Sequence, residues 1–185
     1  ALEFLHKIEP PIGHRDVRSP NVSVLTIAEW NNSNQPVAKL LDFGLAKMMP
    51  IKCSAPMGTW QWLAPEIQAK VNVDSDIPLY DQSCDVYSFG ILLYELASRK
   101  CPFIDDYWDK YCTTDGLQWR SRFICRDAII SGLRPAIPPQ TPPLLQDLIK
   151  RCWEGDPHRR PRMEKVRKRL EEIFVSYQKG EKKSK

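Results

Sequence analysis

Short apolar segments separated by turn residues open the chain. Residues 1–8 read as the end of a helix, which the pair Pro10-Pro11 stops because proline cannot continue a helix. Residues 21–27 and 36–42 are rich in β-branched and other apolar side chains and enclose a polar stretch. Two such runs on either side of a polar connection predict a small β-hairpin.

Helical patterns dominate after residue 66. Residues 85–98 are apolar nearly all round, which predicts a helix buried at the centre of a domain. Residues 144–153 and 162–175 each repeat apolar side chains at helical spacing, so that each has one apolar face. Short strands followed by longer helices predict a mostly helical α+β unit.

Length and composition fit one soluble globular domain. The 185 residues are 42% hydrophobic and 27% charged, which is typical of a chain that can bury a core. The longest apolar run, residues 89–97, contains Glu95 and falls far short of the ~20 residues that a membrane helix needs. The chain begins at Ala1 without a methionine or a basic-then-apolar leader, so we expect no targeting peptide and interpret the sequence as a fragment.

The spacing of the cysteines and the distribution of charge argue against a disulfide-rich, a zinc-binding and a nucleic-acid-binding protein. The six cysteines are irregularly spaced and form no CxxC pair, which favours free intracellular thiols over three disulfides and argues against a zinc site. The net charge is +4, and the residues from His158 onwards carry +7. We interpret this basic end as a solvated helix face and terminus. Nucleic-acid binding is not expected, and membrane contact is the weaker alternative.

Three short motifs occur in order at informative separations. Residues 14–21 read HRDVRSPN, residues 42–44 read DFG and residues 64–66 read APE. The second motif begins 21 residues after the end of the first, and the third begins 20 residues after the end of the second. Each motif is weak alone, but together they match the protein-kinase signature set. On these motifs the chain resembles the C-terminal lobe of a eukaryotic protein kinase, and the resemblance covers residues 1–176.

The resemblance implies roles for the polar residues of the first two motifs. Asp16 would be the catalytic residue that accepts the proton of the substrate hydroxyl, and Arg18 would steady the transferred phosphate. Asp42 and the amide oxygen of Asn21 would hold Mg²⁺, a hard cation that prefers oxygen ligands. ATP and Mg²⁺ are therefore the implied cofactors. Asp16 and Asp42 could instead be turn or capping residues and Asn21 a residue at the start of a strand, or the motifs could persist in a pseudokinase.

The nature of the acceptor hydroxyl is indicated by two features. The end of the implied activation segment, residues 42–66, reads GTWQWLAPE and is similar to the form found in serine/threonine kinases. Pro20 stands where tyrosine kinases have an arginine. Both features favour Ser/Thr acceptors, and the resemblance places Thr59 against Asp16 in the substrate groove.

Arg15 suggests that phosphorylation of the activation segment controls the site. A phosphate carries a charge of about −2 and can pair with an arginine to order a loop. Ser54 is the first candidate acceptor and Thr59 the second.

Further residues match structural positions of the kinase family. Glu66 and Arg160 resemble the buried ion pair that ties the activation segment to the helical base. Asp85, expected at the start of the buried helix, would anchor the backbone of the catalytic loop. His14 and Phe43 would stack in the hydrophobic spine, so that His14 is a packing residue rather than an acid–base group.

Other features depart from a complete kinase. No GxGxxG occurs, and Lys39 precedes DFG too closely to be the phosphate-pairing lysine. Ser23 stands where kinases place a large apolar residue under the adenine, which keeps a pseudokinase open. Residues 104–127 are longer than usual and suggest an insertion on the substrate side.

The sequence therefore predicts a partial kinase domain. Residues 1–176 would form the C-terminal lobe without the N-terminal lobe, and residues 177–185 a basic tail. Within the tyrosine-kinase-like group, the motifs come nearest to the Roco kinases. The expected function is Ser/Thr protein phosphorylation in the cytoplasm, with a protein substrate, an upstream lobe and GTPase-type domains in the same chain. A pseudokinase scaffold is the alternative.

Overall fold

Short strands precede long helices in the structure. The computed structural model describes residues 1–25, 37–52, 58–69, 79–104 and 125–181. Its helices and strands in chain order are α1 (Leu2–Lys7), β1 (Ile12–Gly13), β2 (Val22–Leu25), β3 (Val37–Leu40), β4 (Lys47–Met48), β5 (Ile51–Lys52), α2 (Pro65–Ala69), β6 (Leu79–Tyr80), α3 (Gln82–Ser98), α4 (Pro143–Cys152) and α5 (Met163–Glu181). Residues 125–130 are also helical. This mixture agrees with the predicted α+β class.

The predicted hairpin is present and leads directly into DFG. Strands β2 and β3 pair antiparallel, with Val22 opposite Leu40 and Leu25 opposite Val37. The Leu41 amide extends the pairing by donating to the Asn21 carbonyl at 2.8 Å. The hairpin therefore brings the end of HRDVRSPN beside the beginning of DFG. The connection between its strands lies outside the described residues.

Two further strand pairs hold the activation segment. Strand β1 pairs with β4, and β5 pairs with β6, both antiparallel. Each of these strands has only two residues, which is too short for a periodic pattern to show in the sequence. They attach the residues that follow DFG to the residues that precede HRD and to those that precede α3.

Helix α3 forms the centre of the molecule, but it begins earlier than predicted. Its first residue is Gln82 rather than Asp85, because Asp81 is the N-cap and accepts a hydrogen bond from the Ser83 amide at 2.7 Å. Asp85 consequently lies within the first turn. The helix ends at Ser98, and the C-cap residue Arg99 is left-handed with φ of 58°.

Helices α3 and α4 pack with almost no space between their backbones. A Cβ added to Gly90 would lie 2.7 Å from Cβ of Cys152 and 3.0 Å from the Trp153 amide nitrogen. Since real Cβ contacts are longer, this position requires glycine. The buried side chains of both helices join the residues of α2 and of the loop before it in one core.

Helix α5 is longer than the sequence pattern indicates. It continues to Glu181, through the first residues of the segment that we interpreted as a tail. Met163, Val166 and Ile173 are buried as predicted, whereas Phe174 is 56% exposed. Within the part of the chain that the structure describes, no helix is long and apolar enough to cross a membrane.

Candidate active site

The backbone of the HRD loop is fixed by one buried carboxylate. Asp85 of α3 accepts the His14 amide on Oδ2 and the Arg15 amide on Oδ1, both at 2.8 Å. Its side chain is 1% exposed. A buried charge is stable only when hydrogen bonds compensate its lost hydration, so the carboxylate and the two amides hold each other in place. This contact is the one that the kinase resemblance implies.

Asp16 lies at the centre of the site and meets donors on both oxygens. Oδ2 accepts from Arg18 Nε at 2.9 Å and from Asn21 Nδ2 at 2.8 Å. Oδ1 accepts from the Thr59 amide at 3.2 Å and from the Thr59 hydroxyl at 3.1 Å. Because a carboxylate can accept hydrogen bonds on both oxygens, these four donors hold the side chain in one orientation. The four predicted residues Asp16, Arg18, Asn21 and Thr59 therefore meet in one cluster.

His14 is placed for packing rather than for proton transfer. The residue is fully buried. Its Nε2 lies 2.9 Å from the Leu41 carbonyl, and its Nδ1 receives the Asp16 amide at 3.4 Å, so both ring nitrogens are occupied. The ring also contacts Phe43 edge-on, with centroids 5.1 Å apart. The two predicted spine residues thus touch.

Asn21 and Asp42 offer oxygen atoms suited to Mg²⁺. The Asn21 amide nitrogen donates to the carboxylate and the carbonyl of Asp16, which directs its amide oxygen away from them. Asp42 is exposed, with a left-handed φ of 57°, and its Oδ1 accepts from the Gly44 amide at 3.1 Å. One carboxylate, one amide oxygen and access to water form a donor set that suits magnesium. No cluster of three or more His, Cys, Asp or Glu occurs among the described residues.

The activation segment returns to the HRD loop through a close backbone approach. Gly58 has φ of +115°, and a Cβ there would lie 2.7 Å from the Arg15 carbonyl oxygen. Only glycine fits both the conformation and the distance. This approach presents Thr59 to Asp16.

The ion pair between Glu66 and Arg160 fixes the end of the segment. Arg160 Nη1 and Nη2 each donate to one Glu66 oxygen at 2.7 Å, in a bidentate pair across 94 residues. The Arg160 side chain is fully buried, and its remaining donors bind the carbonyl oxygens of Ser83, Glu154 and Gly155. All groups of the guanidinium are therefore satisfied, as a buried charge requires.

Tyr87 of α3 lies between two arginines beneath this ion pair. The guanidinium carbons of Arg134 and Arg160 stand 5.1 and 5.0 Å from its ring centroid. Such cation–π contacts stabilise charged groups in a desolvated place. Burial raises the pKa of the Tyr87 hydroxyl to about 12, so that the ring stays neutral between its cationic neighbours.

Two contacts that the motifs did not reveal shape the segment before APE. Gln68 of α2 donates from Nε2 to the carbonyls of Leu63 at 2.6 Å and Trp60 at 3.2 Å. Ser88 of α3 donates to the Trp62 carbonyl at 2.7 Å. Both are ordinary polar residues of helices, and no sequence signal distinguishes them.

The other predicted residues lie around this centre. Arg15 is 5% exposed, stands 4.7 Å over the Tyr80 ring, and its Nε has no hydrogen-bond partner among the described residues. Ser23 lies on β2 opposite Lys39. Ser54 and most of the predicted insertion lie outside the described residues.

The described residues bring together a carboxylate, a guanidinium beside it and oxygen atoms that suit a hard cation. Phosphoryl transfer in general relies on groups of these kinds. The family comparison agrees, because the model described as protein kinase domain matches residues 1–170. The chain belongs to the protein kinase family.

The similar curated proteins include protein kinases and indicate which group of kinases the chain resembles. It is 33% identical to "Probable serine/threonine-protein kinase roco11" of Dictyostelium discoideum, over 95% of this chain and 11% of that protein. It is 38% identical to "Cyclic GMP-binding protein C" of the same organism, over 87% of this chain and 5% of that protein. It is 35% identical to human "Mitogen-activated protein kinase kinase kinase 10", over 95% of this chain and 17% of that protein. These relatives confirm the resemblance to Roco and tyrosine-kinase-like kinases, and the chain spans only a small part of each.

Proposed function

We propose that this chain is the C-terminal lobe of an ATP- and Mg²⁺-dependent Ser/Thr protein kinase. Residues 1–176 would form the kinase part and residues 177–185 a basic extension. The observation that carries the proposal is the environment of Asp16, where a carboxylate stands between Arg18, Asn21 and Thr59.

Asp16 would receive the proton of the acceptor hydroxyl. Its oxygens are held from both sides, so the carboxylate is oriented before a substrate arrives and needs no reorganisation. Arg18 would exchange its contact with Asp16 for the transferred phosphate, whose oxygens fit a planar guanidinium. A positioned general base contributes a factor of roughly 10²–10⁴ to the rate.

Asn21 and Asp42 would hold Mg²⁺ at the end of the hairpin. When bound, the metal neutralises phosphate charge and orients the nucleotide. The hairpin fixes the relative position of the two ligands through the bond from the Leu41 amide to the Asn21 carbonyl. Ser23 would lie under the adenine, where a hydroxyl gives a weaker contact than a large apolar side chain.

Protein Ser/Thr hydroxyls are the proposed acceptors. Thr59 contacts Asp16 through both its amide and its hydroxyl, as the GT form of the segment implies. Several relatives are named probable serine/threonine-protein kinases, which supports the same acceptor class.

An upstream lobe would complete the nucleotide site. Val24, Leu41 and Phe43 are 60%, 43% and 50% exposed, so apolar surface remains around the hairpin and DFG. Such a surface fits a covering domain. Because the relatives are much longer than this chain, we further propose that GTPase-type domains belong to the same protein and that it acts in the cytoplasm.

Regulation by phosphorylation of the activation segment is also proposed. The Arg15 guanidinium stands over the ring of Tyr80 on strand β6, and its Nε has no hydrogen-bond partner in the described part of the chain, which suits a phosphate on Ser54 or Thr59.

The test uses a longer form of the protein that includes the upstream lobe. It should phosphorylate Ser and Thr, but not Tyr, in a generic basic protein when given radiolabelled ATP and Mg²⁺. Asp42→Asn should abolish the transfer because a metal ligand is lost. Arg151→Gln, on the exposed surface of α4, is the matched control and should leave it unchanged. A folded long form that transfers no phosphate would overturn the proposal in favour of the pseudokinase scaffold.

A further inference from the structure

The activation segment passes along strand β1 immediately before the HRD motif. Gly13 of β1 lies opposite Lys47 of β4. The Met49 amide continues this contact by donating to the Pro11 carbonyl at 2.7 Å. Met49 is 4% exposed, whereas Met48 beside it is 66% exposed. The segment therefore directs one of its two adjacent methionines into the molecule.

The Met49 side chain fills the space that Gly13 leaves free. A Cβ added to Gly13 would overlap Cε and Sδ of Met49 and would lie 3.1 Å from its Cγ. These three atoms are the nearest ones to that position. Met49 stands two residues beyond Lys47, the partner of Gly13, and a long side chain can reach such a diagonal neighbour. Met49 thus enters a notch in β1 that a side chain on residue 13 would close.

Glycine is needed at position 13 for space rather than for backbone conformation. Gly58 has a left-handed φ of +115°, but the φ of Gly13 lies outside that region. A glycine within a strand weakens the strand and often marks a place where another group approaches closely. Methionine is suited to such a place, because its unbranched side chain adapts to irregular gaps.

The backbone pairing of this segment is too short to fix its alignment. Strands β1 and β4 have two residues each, and register is weakly specified where a strand contains glycine. A shift by two residues would bring either Lys47 or Ile51 to the notch. Lys47 would place a charge in an apolar space, and Ile51 is branched at the carbon where the notch is narrow. Only the observed alignment places Met49 in the notch.

We propose that Met49 is a positioning residue for the activation segment, which it anchors to strand β1 by occupying the notch at Gly13. The same segment carries Thr59, so its alignment on β1 affects the approach of Thr59 to Asp16. The kinetic consequence rests on the proposed kinase function, whereas the structural consequence does not.

Two methionine variants separate an anchor from ordinary core packing. Met49→Ala empties the notch. Met163→Ala removes the same side chain from a buried position on α5, where it is 7% exposed. A segment that loses its anchor should open locally, without unfolding of the whole molecule. The readout is amide hydrogen exchange of the 185-residue chain at position 49, corrected for the intrinsic rate of each residue type.

Exchange of the position-49 amide distinguishes the two variants. Met49→Ala should accelerate it about tenfold or more, since a buried apolar contact is lost. Met163→Ala should accelerate amides in the middle of α3 but should leave position 49 within about twofold of the original chain. Equal acceleration of position 49 by both variants, or none by Met49→Ala, would overturn the proposal.

Gly13→Ala tests the notch from its other side, by urea unfolding of both single variants, the double variant and the original chain. In the original chain the added methyl group displaces the end of Met49, so the urea midpoint should fall. In the Met49→Ala background the same change should raise the midpoint, because the space is vacant and alanine restricts the unfolded chain more than glycine does. A fall of equal size in both backgrounds would show that Met49 does not occupy the notch.

The kinetic arm uses the longer form of the protein. Met49→Ala should lower kcat/KM for the protein substrate about tenfold while leaving the KM for ATP unchanged, because small displacements of positioning groups are costly. Met49→Leu, which keeps most of the apolar volume, should retain most of the rate. If the exchange result is obtained but the long form with native Met49 is silent, the kinase proposal fails and the anchoring role of Met49 stands. A long form that is active and insensitive to Met49→Ala would contradict the positioning role.

Discussion

Replacement of Asp16 by asparagine tests the centre of the site with a nearly isosteric side chain. The amide must place its nitrogen toward one set of donors. It should face Thr59, where it opposes one fixed donor, the Thr59 amide, and a hydroxyl that can turn and accept, whereas Arg18 Nε and Asn21 Nδ2 are both fixed donors. We expect Asp16→Asn in the long form to keep Mg-ATP binding and to lose turnover by a factor of roughly 10²–10⁴, since the proton acceptor is gone.

Nucleotide titration and single-turnover phosphate transfer measure the two effects separately. The matched control is Asp147→Asn on α4, an exposed carboxylate that pairs with Arg151 at the surface. Near-normal turnover of Asp16→Asn would show that another group accepts the proton.

At the residue scale, sequence spacing predicted some contacts and not others. Asp16 and Asn21 are five positions apart, so their meeting follows from one short loop. The pairing of Glu66 with Arg160 was implied only by resemblance, because no local rule connects side chains 94 positions apart. Gln68 and Ser88 were not predicted, because their partners are set by how helices pack.

At the scale of elements, the Glu66–Arg160 pair should couple α2 to the turn before α5. Each single change to alanine leaves the other partner uncompensated, and for buried pairs this costs roughly 3–5 kcal/mol. Arg160 is fully buried, whereas Glu66 keeps 24% exposure. Glu66→Ala should therefore cost more stability than Arg160→Ala, because it leaves the arginine charge unpaired without access to water. The double variant should lose less stability than the sum of the single variants.

Urea unfolding of the four proteins measures this coupling free energy. Arg169→Ala with Glu172→Ala supplies a control cycle on an exposed pair of α5, whose coupling should be about 0–1 kcal/mol. If the stability losses of Glu66→Ala and Arg160→Ala are additive in the double variant, the coupling free energy is zero and the ion pair does not stabilise the fold.

The predicted elements were recovered where a pattern is long. The hairpin and the helices α3, α4 and α5 each follow from several apolar positions, either consecutive or at helical spacing. The start of α3 was wrong by three residues because the capping role of Asp81 was overlooked. The pairs β1–β4 and β5–β6 exist through tertiary contact alone, since two residues cannot specify a strand.

At the scale of the whole molecule, buried thiols should make the fold sensitive to alkali. Burial raises the pKa of Cys152 to about 12 and that of Cys84 well above its usual range. Unfolded thiols lose their protons near pH 9, so above that pH the folded state binds more protons and stability falls as pH rises. The loss should approach ~1.4 kcal/mol per pH unit for each thiol.

Urea unfolding at pH 8 and pH 10 tests this dependence. In the double variant Cys84→Ala/Cys152→Ala, the free energy of unfolding should fall much less between pH 8 and pH 10 than in the original chain. Iodoacetamide should also label these two cysteines slowly in the folded chain, because only a thiolate reacts. Rapid labelling of both at pH 8 would show that the core opens more readily than its burial indicates.

The 185-residue chain by itself should fold without binding nucleotide. Its core, to which α3, α4 and α5 contribute, buries Tyr87, Ile91 and Val166 within this chain. Phosphate charge, however, would meet only Arg18, water and a metal ion held by Asn21 and Asp42, because the glycine loop and the phosphate-pairing lysine of the kinase family do not occur in this sequence. We expect a cooperative thermal transition, no Mg-ATP affinity by calorimetry at micromolar nucleotide, and no phosphate transfer.

Addition of the upstream lobe should restore affinity and transfer together, since catalysis here depends on groups held in place by both lobes. Measurable transfer by residues 1–185 alone would show that the HRD–DFG half suffices.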